Sequence, residues 1–161
     1  MAALRARRLI TALLILAALG VLAPVACGDS DGSTPTPGAP IQATLLVHVS
    51  EEDERWFQDV VVPKGTDAYE LTELAMEGEL EATWYPAFQA HFVTAIGGVE
   101  NGEPHYWLIY RWNESEGAWE PLPVGADRFS VKEGDVLAWA YTDTDVKGYH
   151  ERLTEPLSAA P

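Results

Sequence analysis

Apolar and polar positions alternate through much of this chain. In residues 43–49, Leu45, Val47 and Val49 fall on one side and Thr44, Leu46 and His48 on the other. Residues 56–62 alternate again and are rich in β-formers. A period of two predicts strands, and the polar run Ser50-Glu51-Glu52-Asp53-Glu54 between them predicts a hairpin. Pro63-Lys64-Gly65 ends the second strand. Residues 66–80 switch to a helical period. Asp67 and Glu70 fit a capping box, each side chain satisfying a free backbone N–H at the helix start. Leu71, Leu74, Ala75 and Gly78 form the expected buried stripe, opposite Glu70, Glu73 and Glu77. Beyond the helix the period returns to two. Strands are expected at 84–85, at 88–96 up to Gly97-Gly98, and at 105–112. A turn over 113–117 leads to an edge strand at 119–122. Strands at 128–131 and 136–141 flank the polar turn Lys132-Glu133-Gly134-Asp135. The order predicts an α+β fold with one main helix packed on a mixed β-sheet. The sheet face away from the helix then needs other cover, or a ligand. The last residues, 144–161, are weakly patterned, with Tyr149, Leu153 and Leu157 isolated, and are expected to form a tail.

Before the alternating region the pattern is of another kind. Arg5, Arg7 and Arg8 precede an apolar run from Leu9 to Ala23, which closes on Pro24-Val25-Ala26-Cys27. Basic start, short apolar centre and small-residue exit are the signature of an export signal. The apolar run is shorter than the roughly 20 residues that span a bilayer. Cys27 is the only cysteine in the chain, so it cannot form an internal disulfide. The segment resembles a bacterial lipoprotein signal over residues 1–26, in which Cys27 receives lipid such as palmitate. Pro24 departs from that pattern, where an aliphatic residue is usual. Simple cleavage near Ala26 and an uncleaved anchor are the alternatives. The following GDSDGSTPTPGAP run has no large apolar residue. It reads as a flexible linker over 27–42, ahead of a folded domain at 43–143. The expected location is the cell membrane, lipid-anchored on its extracytoplasmic face.

Charge narrows the partners. Removing Arg5, Arg7 and Arg8 with the leader leaves 7 basic against 25 acidic residues, a formal charge of −18. That excludes a phosphate-neutralising nucleic-acid surface. It also disfavours contact between the domain itself and an anionic bilayer, so the bilayer is a partner through the N-terminal anchor alone.

Three segments together carry a family resemblance: Phe92-Val93-Thr94-Ala95-Ile96-Gly97-Gly98-Val99, Tyr106-Trp107-Leu108-Ile109-Tyr110-Arg111-Trp112-Asn113, and Val131-Lys132-Glu133-Gly134-Asp135-Val136-Leu137-Ala138-Trp139. With Gly125 and the Gly65-Thr66-Asp67 helix entry, they resemble the C-terminal domain of transcobalamin and intrinsic factor. They resemble more closely the related bacterial domains of unknown function found on lipoproteins. The resemblance implies a β-grasp-like fold. The animal proteins hold cobalamin between this domain and a large helical domain, which is absent from this sequence. A corrinoid is therefore a possible ligand of the family and not a default one.

Trp107, Trp112 and Trp119 gather around one strand and its turn, and the segment from Glu120 to Gly125, including Leu122 and Pro123, resembles the loop facing the corrin ring. Rings beside a proline-rich loop could form a platform for a flat ligand or a sugar. Alternation points Trp107 and Trp112 to opposite faces, so at least one of them is expected in the core. His48, His91, His105 and His150 lack metal-ligand spacing. The acidic runs lack a dedicated calcium-loop register. Ser50, Ser115 and Ser130 lack a nucleophile elbow, and no phosphate loop precedes the helix. The expectation is a binding module for a small molecule and no enzyme. The alternative is a surface adaptor for a protein or glycan.

Overall fold

The computed structural model describes residues 38–148 and 153–156. The leader, Cys27 and most of the linker lie outside the described residues. Two sheets form. In the larger, β1 (Ile41–Ser50) is flanked by β2 (Asp53–Val62) and β8 (Val136–Asp143), and β6 (His105–Asn113) joins β8 to the edge strand β7 (Ala118–Pro121). β1 and β8 are parallel and every other pair is antiparallel, so the sheet is mixed. The smaller sheet holds β3 (Leu80–Tyr85), β4 (Ala90–Ile96) and β5 (Val99–Glu100).

The period-two reading of β1 survives in its packing. Leu45 and Val47 enter the main core with Leu137, Trp139 and Trp107, while Leu46 enters a second cluster with Tyr110, Trp119, Ala138 and Ala140. β1 and β8 are central strands buried on both faces, which is why both alternating sets of β1 are apolar. β2 needs a bulge to follow β1. Gln58 and Asp59 oppose Thr44 alone, and Asp59 takes a left-handed φ of 51°.

The single α-helix, α1, spans Ala68–Met76. Its capping box forms as expected: Glu70 N donates to Asp67 Oδ1 at 2.8 Å and Asp67 N donates to Glu70 Oε2 at 3.1 Å. The buried stripe, however, is turned from the expected one. Leu74 is 54% exposed and Gly78 lies beyond the helix, whereas Ala68, Leu71, Thr72 and Met76 are buried. Both stripes obey the 3.6-residue period. A polar residue settles the choice: Thr72 donates to Ala68 O at 2.7 Å and accepts from Trp139 Nε1 at 2.8 Å, so its hydroxyl is buried with both roles satisfied. The helix stops at Glu77, which is left-handed, followed by Gly78 at φ 96°.

The helix does not cover its sheet face alone. Val93 and Ile96 of β4, with Leu80, Ala82 and Val99 around them, pack into the same main core. β4 turns into β5 through Gly97 and Gly98, both at positive φ, as a two-residue hairpin requires. A side chain at position 97 would also collide with the Arg55 guanidinium.

One expected strand is absent. Residues 128–131 do not form a ladder. A 3₁₀ turn, Ala126–Arg128, runs into a single bridge between Ser130 and Asp67. Ala68 N donates to Phe129 O and Val131 N donates to Thr66 O, so the segment is tied to the helix entry. No strand is there to extend the pairing, because the chain turns into α1 at Ala68. The expected tail also contributes packing. Leu153 is 5% exposed in the second cluster, and Thr154 O accepts from Trp119 Nε1 at 3.1 Å. This segment supplies part of the cover that the face away from the helix needed.

Candidate functional site

The aromatic residues of the 105–122 region are divided by the sheet. Trp107 is a core residue, 4% exposed, donating from Nε1 to Val99 O at 2.8 Å. Trp112 and Trp119 lie on the other face and meet edge to face at 5.4 Å. Trp119 is itself buried beneath the Leu153 segment, leaving Trp112 as the half-buried member. Glu120, beside them, accepts from Asn113 and Arg111, bonds that hold its carboxyl below the usual range. Leu122 packs half-buried against the main core, and Pro123 and Val124 are exposed. The rings and the loop therefore do not form one platform.

The loop instead meets the β3–β4 hairpin. A side chain on Gly125 would lie 3.8 Å from Ala90 Cβ, and Arg128 Nη2 donates to Phe88 O at 3.0 Å. This hairpin carries Trp84, Tyr85, Phe88 and Phe92, exposed by 48, 44, 70 and 47%. Its register sorts them. Trp84 faces His91 directly, on the side of Ala82 and Val93; Thr83, Tyr85, Ala90 and Phe92 occupy the other side. Tyr85 and Phe92 meet edge to face at 6.2 Å, and Phe88 sits in the connecting turn. Tyr85 and Phe92 thus form an exposed aromatic pair on one face, while Trp84 is exposed on the other and Phe88 at the turn; exposed apolar rings of this kind mark contact sites.

The sequence held a signal for this surface. Residues 82–99 include no Asp, Glu, Lys or Arg, in a chain with 25 acidic residues. Desolvating that hairpin costs no charge.

Near its turn lies a second constellation, joined from four elements. Asp127, in the 3₁₀ turn, accepts from His91 N at 2.8 Å and meets His91 Nδ1 at 2.6 Å. The Tyr69 ring of α1 stacks on the His91 imidazole at 4.1 Å and 6°, and the Trp84 ring lies 4.9 Å away, tilted by 57°. Burial, with help from the hydrogen bond to Glu73, pushes the Tyr69 phenol up to about 12, so it stays neutral beside the imidazole. The nearby Asp67 carboxyl is also raised, chiefly by burial, against the lowering effect of its bond from Glu70 N. His91 and Asp127 are 36 residues apart, so no local motif links them. An open depression beside α1, lined by Pro63, Thr66, Glu70, Glu73 and Leu74, brings two glutamates together without a buried ring or basic group among those residues.

No family model and no curated protein matches this chain. Solved structures do. Haptocorrin in complex with Cbi (cobinamide) superposes with a TM-score of 0.55 at 17% identity, over 67% of this chain and 26% of the haptocorrin chain. This chain thus spans about a quarter of that protein. A candidate metal-binding protein from Ruminococcus gnavus superposes with a TM-score of 0.51 at 18% identity, over 64% of this chain and 97% of that one. At these identities the likeness is one of fold: the chain shares the architecture of a domain seen in haptocorrin and in a bacterial protein of similar span.

Proposed function

We propose that this protein is a membrane-tethered, extracytoplasmic binding module for a flat small molecule of the corrinoid class, with no catalytic role. The β1–β2 hairpin, α1 and the parallel β1–β8 pair fit a β-grasp-like topology. The observation that carries the reading is the β3–β4 hairpin, with Trp84, Tyr85, Phe88 and Phe92 exposed on a charge-free segment. Flat aromatic surfaces stack on flat ligands, and such contacts concentrate binding energy in a few rings. The fold likeness to haptocorrin, a protein crystallised with cobinamide, supports the ligand class.

Titration with cobinamide, followed by quenching of tryptophan fluorescence, tests the reading. Saturable quenching is expected, and the double variant Trp84→Ala, Phe88→Ala should bind at least about tenfold more weakly with an unchanged melting temperature. Absence of saturable quenching by cobinamide, cobalamin or haem would overturn it. Saturation by a glycan or a recovered protein partner would favour the adaptor reading, for which the exposed rings of this hairpin are the contact residues.

Tethering rests on the leader and on Cys27, the one cysteine available for acylation. The mass of residue 27 in protein purified from native membranes should exceed that of cysteine by the mass of its lipid. An unmodified Cys27 on a protein that stays in the membrane would assign anchoring to the leader itself.

A further inference from the structure

We propose that His91 is an axial ligand, through Nε2, for the metal of a planar macrocycle bound near the turn end of the β3–β4 hairpin. The inference rests on the binding reading above and adds the atom that touches the metal. Its basis is the way the imidazole is held. Nδ1 is engaged by Asp127 Oδ1 at 2.6 Å, and the Asp127 carboxylate also accepts the His91 backbone N–H, which fixes the residue from two directions. Tyr69 stacks on the ring and Trp84 leans over it, so its plane is set as well. Among the described residues Nε2 has no hydrogen-bond partner, and the His91 side chain keeps 30% of its surface exposed. A carboxylate on one imidazole nitrogen selects the tautomer that leaves the other nitrogen's lone pair free, and it raises that nitrogen's basicity. This is the preparation a metal-ligating histidine receives.

The same surroundings say which kind of metal fits. Among the described residues no group of three or more His, Cys, Asp or Glu could hold a metal ion. A free divalent cation needs several protein donors. A metal already held in the plane of a macrocycle needs one donor along its axis, and exposed rings beside that donor can receive the edge of the macrocycle. His91 and Trp84 supply that pair, Cα partners on one face of the ladder. A corrinoid and a haem share this chemistry. In the ligation step the Nε2 lone pair forms the bond to the metal, the solvent molecule in that axial position leaves, and the Nδ1 proton remains shared with Asp127. No electron is transferred.

Absorbance tests this separately from binding. Diaquacobinamide and haemin, added in turn to the folded domain, report the axial ligand in their visible bands, while tryptophan quenching reports binding. With the wild-type protein, one of the two should bind with its bands shifted to the positions that free imidazole produces. His91→Phe, which keeps a ring between Tyr69 and Trp84, should still quench but lose that shift and bind about tenfold or more weakly. Excess cyanide, which fills both axial positions of the corrinoid, should weaken binding by the wild type to the level of His91→Phe, whose own binding it should leave unchanged. Quenching by the wild type with bands like those of the free ligand would overturn His91 ligation and leave the binding reading standing. No quenching by either probe would overturn both.

Discussion

Trp107→Ala is expected to destabilise the domain by about 3–5 kcal/mol, the range for removing a buried aromatic side chain. Trp107 sits in the main core at 4% exposure, its ring 5.3 Å from that of Tyr141. It is also tied at both ends: Nε1 donates to Val99 O, and its backbone N donates to Asn101 Oδ1, both at 2.8 Å. Truncation leaves a cavity and removes the indole bond to Val99 O, so the cost has a packing part and a polar part. Small domains are stable by only about 5–15 kcal/mol, so the variant should be partly unfolded near its lowered midpoint. Urea unfolding should show a lower midpoint at an unchanged slope. A loss below about 1 kcal/mol, accompanied by lost ligand binding, would instead make Trp107 part of a platform.

Leu153→Ala should cost about 2–4 kcal/mol, although the residue lies in a segment with no pattern of its own. Leu153 fills the second cluster against Leu46, Tyr110, Trp119, Ala138 and Ala140. Its neighbour Thr154 extends the attachment: its carbonyl accepts from Trp119, and its hydroxyl donates to Glu54 Oε1 at 2.6 Å. Glu54 Oε1 also meets His48 Nδ1 at 2.7 Å, and His48 is 2% exposed. Loosening Leu153 therefore exposes Trp119 and strips one partner from a polar chain that reaches a buried histidine. Tryptophan emission should move to longer wavelength along with the lowered unfolding midpoint. A variant with the wild-type midpoint and emission would show that this segment does not pack in solution.

Much of the framework was legible along the chain. The alternation in residues 43–49 separated Leu45 and Val47 from Leu46, and the sheet uses the two sets for two different clusters. Alternation also set Trp107 against Trp112, which do lie on opposite faces. The capping box named both residues and both bonds of the helix start. These features are local: each depends on residues within a few positions of one another, where backbone geometry alone decides which side chains meet.

Wherever the local pattern admitted two answers, a distant partner chose. The helix could bury Leu74 or Thr72 at the same period, and the indole N–H of Trp139, 67 residues away, made Thr72 the buried one. Residues 128–131 had a strand's composition but lacked a strand to pair with once residue 67 turned into the helix. Leu153 reads as an isolated apolar residue until β1, β6 and β8 assemble the surface it covers.

The sequence by itself thus determined the alternating strands β1, β2, β6 and β8, the helix start, the acidic composition and the uncharged stretch of residues 82–99. Only the tertiary structure decided that Trp107 and Trp119 are buried, that Trp84, Tyr85, Phe88 and Phe92 are not, and that Asp127 holds His91 from the far side of a loop. Periodicity records which side of its own element a residue occupies. Whether that side is covered, and by what, depends on contacts between segments far apart in the chain.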